Sequence, residues 1–254
     1  MAVAPRPEAD VAARRPIALL TWSNRMHRFA PVEQIVGAYC AKHGYDRLVS
    51  HTRRVPQLAA SWEKVPFLIE MLPRYEAILQ LDDDAVINQI DTRVETFLDA
   101  NPEFDMLMTA VEKGGRRRKG SPVMGFFIMR HTPQIMNLLT RLLEDPACTA
   151  RTRSKCCWEQ DCFWQLLTNH ASVWSDYNSS NATTSVGFLP ARDFACHGDP
   201  KAYAHAFHKG QCDNPFAFHE LGYPKMGWVA RRAMELQPNV TARVWFEGAG
   251  SHIK

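Results

Sequence analysis

The sequence predicts an α/β fold in which helices cover both faces of a mostly parallel central sheet. Short apolar runs, typical of buried strands, alternate along the chain with segments whose apolar residues recur at helical spacing. Gly and Pro residues separate many of these segments, as they do where helices and strands end. A row of acids directly follows one apolar run, at the point where a strand leaves the core. Alternation of this kind favours a parallel sheet between two layers of helices.

The first four elements are each bounded by residues that favour a start or a stop. Pro16–Trp22 contains the apolar run Ile-Ala-Leu-Leu and predicts the first buried strand. A helix over Pro31–Gly44 opens on a proline and ends on a glycine, which is the usual asymmetry of helix termini. Asp46–Ser50 predicts a short strand, and Trp62–Leu72 predicts a helix with Ser61 as its cap.

The remaining elements continue the alternation as far as residue 168. Ala77–Leu81 is an apolar run that predicts a third buried strand. Pro133–Asp145 predicts an amphipathic helix, because its leucines and isoleucine fall on one side. The segment from 171 to 225 is rich in Asn, Ser, Gly, Pro and aromatic residues, and is predicted to be irregular. The other predictions are helices at Asp91–Ala100, Trp158–Thr168 and Gly227–Gln237, and strands at Phe104–Val111 and Val123–Arg130.

Composition and length suit one large α/β domain or two small ones. The chain has 254 residues, 46% hydrophobic and 22% charged, which is ordinary for a globular protein. We predict a disordered leader over residues 1–15 and a single domain over residues 16–254. The net charge of +3 is too small to indicate nucleic-acid binding, and no apolar run approaches the roughly 20 residues of a membrane-spanning helix. The seven cysteines, without a CxxC pair, argue against a dense disulfide framework.

Asp82, Asp83 and Asp84 are the strongest sign of chemistry in the chain. They follow a predicted strand, and ligands of open α/β sheets bind beyond the carboxyl ends of strands. Adjacent carboxylates repel one another unless a cation compensates. If strand geometry continues, Asp82 and Asp84 point the same way, and two hard oxygen ligands suit Mg²⁺ or Mn²⁺. The alternative is a solvated acidic turn.

Four motifs occur in an order that is more specific than any one of them. Tyr39–Asp46 reads Y-C-A-K-H-G-Y-D, and Trp62–Pro66 contains W-x-K. Asp82–Asn88 reads D-D-D-A-V-I-N. Gly125–Arg130 reads G-F-F-I-M-R and precedes the W-E-Q-D of Trp158–Asp161. Over about residues 16 to 215, this ordered set resembles glycosyltransferase family 34, which comprises galactosyl, xylosyl and mannosyl transferases.

The resemblance implies a GT-A fold, a Rossmann-like α/β architecture of nucleotide-sugar transferases. It implies that a hexose or pentose is moved, with retention of anomeric configuration, from a nucleotide-diphosphate sugar to a glycan or glycoconjugate acceptor. It also implies Mn²⁺ or Mg²⁺ as cofactor. Members of such families are usually lumenal Golgi proteins, whereas the chain by itself, if complete as given, favours the cytoplasm.

The resemblance also implies roles for particular residues. Asp82 and Asp83 are expected beside the donor nucleotide, and Asp82 and Asp84 are expected to bind the metal. A histidine near the C-terminus usually completes the metal site in this family. His208 is the favoured ligand here, and His205 is the second choice.

Several more residues are candidates for contact with substrate. Gln160 and Asp161, at the start of a predicted helix, are candidates for the reactive face beneath the sugar, with simple capping of the helix as the alternative. Lys209 either supports the charge of the diphosphate or is a surface lysine. Lys64 is expected to pack and pair locally rather than to touch the donor. Three residues at the end of the first strand are candidates for nucleotide contact, with an ordinary loop as the alternative: Thr21, Trp22 and Arg25.

Two other classes of function compete with glycosyl transfer. Asp82-x-Asp84-x-Val86 also fits the D-x-D-x-[TV] pattern of haloacid dehalogenase-like phosphatases, but no second Asp-Asp pair follows it. The second alternative is a catalytically inactive, carbohydrate-binding homologue. The basic segment at 114–120 is either a solvated loop or a contact for phosphate or an acidic acceptor.

Overall fold

Strands and helices alternate along the part of the chain that the computed structural model describes, which is residues 16–24, 30–110, 122–146, 149, 158–168, 186–191, 193–197 and 216–219. The strands in these residues are β1 Ile17–Trp22, β2 Asp46–Ser50, β3 Ala77–Leu81, β4 Val86–Ile87, β5 Met106–Ala110, β6 Pro122–Arg130, β7 Val186–Phe188, β8 Ala195–His197 and β9 Ala217–His219. The α-helices are α1 Ala30–His43, α2 Lys64–Met71, α3 Val94–Ala100, α4 Pro133–Glu144 and α5 Trp158–Thr168.

The central sheet has six strands in the order β2-β1-β3-β6-β5-β7. Strands β1, β2 and β3 are parallel to one another, and so are β5 and β7. Strand β6 lies between the two groups and is antiparallel to both of its neighbours. The predicted α/β class, with a mostly parallel sheet, is therefore confirmed.

Helices cover both faces of this sheet. Successive strand residues alternate between the faces, so each face carries apolar side chains that a helix layer buries. Leu19 and Leu79 point to one face and pack with α1 and α3. Leu20 and Ile78 point to the opposite face and pack with α2, α4 and α5. Each such side chain, when fully buried, contributes roughly 1.5–3 kcal/mol to the stability of the fold.

A second, small sheet is formed by β4, β9 and β8 in that order. Its strands β8 and β9, together with β7, come from the segment that was predicted to be irregular, so that prediction is wrong for these residues. Each of these strands has only three residues, which is too short to show the period-two pattern of a strand. They form by pairing with segments that are distant in sequence.

The ends of the helices show where local signals suffice. Gly44 ends α1 with a positive φ of 71°, as predicted. Ser61 does not cap α2, which begins at Lys64 after a 3₁₀ turn over Ala60–Glu63 and has no side-chain cap. Helix α3 begins at Val94, later than predicted.

Some predictions lie outside the described residues, namely the leader at 1–15, the basic segment at 114–120 and the helix at Gly227–Gln237. The single domain over residues 16–254 stays a prediction. Of the helices that are described, none has both the length and the apolar character needed to cross a bilayer. Cys162 is disulfide-bonded, and Cys40 is a free thiol in the core.

Candidate functional site

The carboxyl ends of β1, β2 and β3 meet at one edge of the central sheet, at Trp22, Ser50 and Leu81. We call this the carboxyl edge. Strand β6 begins at the same edge because it is antiparallel, and Phe126 pairs with Leu81. Side chains that follow β1 to β3 or lie near the start of β6 are thereby brought together.

The three acids form a tight turn at this edge. The strand ends at Leu81, and the amide of Ala85 donates to the carbonyl of Asp82 at 3.0 Å. Strand geometry does not continue, so the premise that placed Asp82 and Asp84 on one side is wrong. Both residues are partly exposed, whereas Asp83 between them is buried.

Asp82 is held from three directions. Its amide donates to the carbonyl of Gly125 at 2.8 Å, which extends the pairing of β3 with β6 by one residue. Its Oδ1 accepts a hydrogen bond from Nε2 of Gln80 at 3.0 Å and pairs with Nζ of Lys64 at 2.6 Å. The side chain is still 31% exposed, so a ligand at the edge has access to it.

Lys64 links the acidic turn to β6 and α5. Its side chain is only 5% exposed, and its Nζ also pairs with Oε1 of Glu159 at 3.1 Å and donates to the carbonyl of Met124 at 3.0 Å. Burial alone lowers the pKa of Lys64, but attraction to Asp82 and Glu159 outweighs burial and raises it, so this lysine is charged at neutral pH. The described partners of this lysine are all protein groups, as expected for a residue that packs and pairs within the fold, and both carboxylates are distant from it in sequence.

Asp83 is anchored to the strand on the other side. The hydroxyl of Ser23, the residue after β1, donates to Oδ2 of Asp83, and both residues are buried. The amide of Ser23 in turn donates to the carbonyl of Ser50 at 3.1 Å. The turn is thus fixed between β1 and β6, with Asp82 and Asp84 left partly open to solvent.

These acids fit part of a site for a divalent cation, because partly exposed carboxylate oxygens are the ligands that Mg²⁺ and Mn²⁺ prefer. Within the described residues, no cluster of three or more His, Cys, Asp or Glu side chains is able to hold a metal. A site built on Asp82 and Asp84 therefore needs further ligands. His208 and His205, the predicted ligands from the C-terminal region, lie outside the described residues.

Gln160 and Asp161 occupy the first turn of α5, beside the acidic turn. Gln160 is buried, and its Oε1 lies 3.4 Å from the amide of Met124, which donates to it. Asp161 is exposed. The preceding residue, Glu159, pairs with Lys64 rather than only capping the helix, so the start of α5 is tied to the same cluster as Asp82.

The residues predicted to contact a nucleotide lie at the end of β1. Thr21 is buried, and its hydroxyl accepts a hydrogen bond from Arg47 at 2.9 Å. Trp22 is 8% exposed and donates through Nε1 to the carbonyl of Thr52 at 2.8 Å. The described contacts of both are to protein, so nucleotide contact stays a prediction, and Arg25 and Lys209 lie outside the described residues.

The links made by Lys64 and Ser23 are the parts of the site that the sequence analysis missed. One signal was available for the first of them. Lys64 opens an otherwise largely apolar helix, and a charged side chain that is buried needs an opposite charge. No pattern in the sequence marks Ser23, because its partner is brought near only by the pairing of β1 with β3.

Comparisons with known proteins find this architecture again in solved structures. No protein-family model matches the chain, and no curated protein matches its sequence. A glycosyltransferase involved in glycosylation of the major capsid of PBCV-1 is similar with a TM-score of 0.57 at 14% identity, over 87% of this chain and 99% of that chain. The galactosyltransferase LgtC, in complex with donor and acceptor sugar analogs, has a TM-score of 0.53 at 12% identity, over 89% and 96%.

A third similar structure is matched over only part of its length. The apo structure of the bifunctional glycosyltransferase WbbM has a TM-score of 0.55 at 12% identity, and the match covers 91% of this chain and 51% of that chain. Identities this low establish the fold alone, and family 34 in particular is not confirmed. With its six-stranded mixed sheet and the acidic turn at its carboxyl edge, the chain has the GT-A fold of these glycosyltransferases.

Proposed function

We propose that this protein is a glycosyltransferase that moves a hexose or pentose from a nucleotide-diphosphate sugar to a glycan or glycoconjugate acceptor. The observation that carries the proposal is the acidic turn Asp82–Asp84 at the carboxyl edge of a GT-A fold. The buried Lys64 holds this turn through its ion pair with Asp82. The similar solved structures support it, since all three are described as glycosyltransferases and LgtC holds donor and acceptor analogs.

The acidic turn is the part of the site that would receive the diphosphate. We assign Mn²⁺ or Mg²⁺ to Asp82, Asp84 and His208, and when bound the ion supplies Lewis-acid stabilisation of the charge on the leaving diphosphate. Lys64 and Ser23 hold the turn in place before any ligand arrives. Such preorganisation stabilises developing charge without a cost of rearrangement during the reaction. Lys209 is proposed to add a cation at the diphosphate.

The first turn of α5 is the proposed reactive face. Gln160 is fixed against β6, and Asp161 beside it is exposed at the surface. We assign these two residues to the sugar and the acceptor, in a transfer with retention of configuration. Their contribution is mainly orientation of the reacting groups, which is a large part of enzymatic rate enhancement.

The compartment proposed from the family resemblance is the Golgi lumen. A disulfide bond at Cys162 supports an oxidising compartment, where such bonds persist. Nucleic acid is not a proposed partner.

The haloacid dehalogenase-like phosphatase is not favoured, because the three similar solved structures described above are glycosyltransferases. A catalytically inactive, carbohydrate-binding homologue has the same fold and is separated from an enzyme only by assay. Release of phosphate from phosphomonoesters, without turnover of any nucleotide-sugar, would point to the phosphatase instead.

The deciding experiment measures turnover of a panel of UDP- and GDP-sugars with Mn²⁺, with and without EDTA. Asp84→Asn is expected to reduce turnover at least about 100-fold, because loss of even an outer-shell partner of a metal costs 10–100-fold. Asp99→Asn is the matched control, since Asp99 is an exposed aspartate of α3 outside the acidic turn, and it should keep full turnover. Wild-type protein that turns over no donor, or Asp84→Asn with wild-type activity, contradicts the proposal.

A further inference from the structure

A buried glutamate fixes the loop that follows β2. Glu63 is fully buried, and its carboxylate accepts hydrogen bonds from Nε of Arg53 at 2.6 Å, the amide of Arg54 at 2.6 Å and the amide of Val55 at 3.1 Å. A buried carboxylate with three donors is well satisfied, and each donor lost would leave charge poorly compensated. Residues 51–55, which we call the β2 loop, therefore have a defined position at the carboxyl edge.

The β2 loop is also fastened to the end of β1. Trp22 donates through Nε1 to the carbonyl of Thr52 at 2.8 Å, and the guanidinium of Arg53 lies 5.9 Å from the centroid of the Trp22 ring. These contacts join the ends of two neighbouring parallel strands into one surface. The loop and the acidic turn are therefore parts of the same rigid edge.

The imidazole ring of His51, the first residue of the β2 loop, is held through one of its two nitrogens. Its Nδ1 lies 2.5 Å from the backbone carbonyl of Ser23. A carbonyl only accepts hydrogen bonds, so Nδ1 carries a proton, and in the tautomer with this single ring proton Nε2 is an acceptor. His51 is exposed, and no described group is bonded to its Nε2.

The position of His51 relative to the acidic turn follows from Ser23. The carbonyl of Ser23 holds His51, while its hydroxyl donates to Asp83. His51 thus lies on the β2 side of the turn, whereas Lys64 and Glu159 extend from the turn toward β6 and α5. If the diphosphate of a ligand lies at the turn and one end of the ligand lies beside α5, the other end is directed toward β2.

We propose that Nε2 of His51 accepts a hydrogen bond from the nucleoside of the donor. This inference rests on the proposed function, which puts the diphosphate at the turn and the sugar beside α5, so that the nucleoside extends toward β2. In that tautomer Nε2 suits an N–H of the base or a hydroxyl of the ribose, and it offers no donor to a phosphate oxygen. His51 is therefore a determinant of nucleoside binding, separate from the groups that hold metal and diphosphate.

The test is calorimetric titration of the full chain with UDP, GDP, 2′-deoxy-UDP and inorganic pyrophosphate, each with Mn²⁺. His51→Ala is expected to lower the affinity for the preferred nucleoside diphosphate about tenfold, which is the scale of one hydrogen bond. The affinity for pyrophosphate should change less than about twofold. His51→Asn, which keeps an acceptor, should recover part of the loss. If the partner is the ribose 2′-hydroxyl, the deoxynucleotide binds equally to wild type and His51→Ala; if it is the base, the variant weakens both nucleotides alike.

His131→Asn is the matched control, because His131 follows the end of β6 at the opposite edge of the sheet and should leave all four affinities unchanged. If His51→Ala weakens the binding of pyrophosphate and of nucleotide equally, or weakens neither, the assignment of His51 is overturned but the proposed function is not. Wild-type protein that binds pyrophosphate but neither nucleotide overturns the proposed function, and the inference with it. Because His51 is exposed, its variants should melt at the wild-type temperature.

Discussion

Replacement of Lys64 by Met is the sharpest test of how the site is built. The substitution keeps the volume and the apolar stem of the side chain but removes its charge. Nζ of Lys64 is the cation between Asp82 at 2.6 Å and Glu159 at 3.1 Å. Without it, two carboxylates face each other across a largely buried space.

The magnitude follows from the burial of the partners. Breaking a buried ion pair by removal of one member costs about 3–5 kcal/mol, because the other charge is left uncompensated. Glu159 is only 7% exposed and falls in that class, whereas Asp82 is 31% exposed and is partly compensated by water. We therefore expect the lower end, about 3 kcal/mol of unfolding free energy, or roughly 6–12 °C in melting temperature for a chain of this size.

Urea denaturation and differential scanning calorimetry at neutral pH measure this loss. Lys42→Met is the matched control, since Lys42 is 45% exposed and pairs with Asp91, which is 85% exposed. Such a surface pair contributes little to stability, because water screens both charges. The double variant Lys64→Met/Glu159→Gln also removes the uncompensated charge of Glu159. Its free energy of unfolding should exceed that of Lys64→Met by at least about 1 kcal/mol.

Two results would refute this reasoning. One is a loss for Lys64→Met no larger than that for Lys42→Met, which would mean that the buried charges do not depend on the lysine. The other is simple additivity in the double variant, which would mean that Lys64 and Glu159 do not interact. Either result would also remove the argument that Lys64 preorganises the acidic turn.

Two further substitutions test regions away from the site. Burial raises the pKa of Glu95, but hydrogen bonds from Arg93 and a tyrosine hydroxyl outweigh it and lower that pKa. The stabilisation from Glu95 is therefore present above the ordinary carboxyl pKa and is lost as pH falls through the lowered pKa of the folded state. In denaturation experiments between about pH 5 and pH 3, the Glu95→Gln variant should therefore lose less stability than the wild type. Equal losses in the two proteins would contradict the lowered pKa. Gly187→Ala should cost about 1–3 kcal/mol in urea denaturation, because a Cβ there lies 2.6 Å from Phe104. Gly37→Ala, which meets nothing within 4 Å, is its control, and equal effects of the two changes would contradict the packing argument.

Those elements of the fold that carry their own local signal were predictable from the sequence. Strand Asp46–Ser50 and the end of α1 at Gly44 follow from turn chemistry and apolar pattern, and both are where the sequence analysis predicts them. Ser61 shows the limit, because a serine before an apolar stretch resembles a cap even when the chain enters the helix through a 3₁₀ turn. The three-residue strands β7 to β9 have no pattern of their own and depend on tertiary pairing.

The site divides in the same way. The acidic turn at Asp82–Asp84 and its place at a strand end were accessible, because three carboxylates after an apolar run is a local pattern. The contacts that hold the turn were not, since Lys64, Glu159 and Ser23 come from three separate segments. Their association reflects the order of the strands in the sheet, which no spacing along the chain encodes.

The reversed direction of β6 has a consequence for how this protein can diversify. Ala110 at the end of β5 pairs with Pro122 at the start of β6, so both ends of the segment 111–121 are attached at the carboxyl edge. That segment contains the run of arginines and lysine from 116 to 119. Insertions, deletions and charge changes between these two ends would leave the paired strands of the scaffold unchanged. Under the proposed function, this segment is therefore a place where acceptor specificity can change while the strands stay the same.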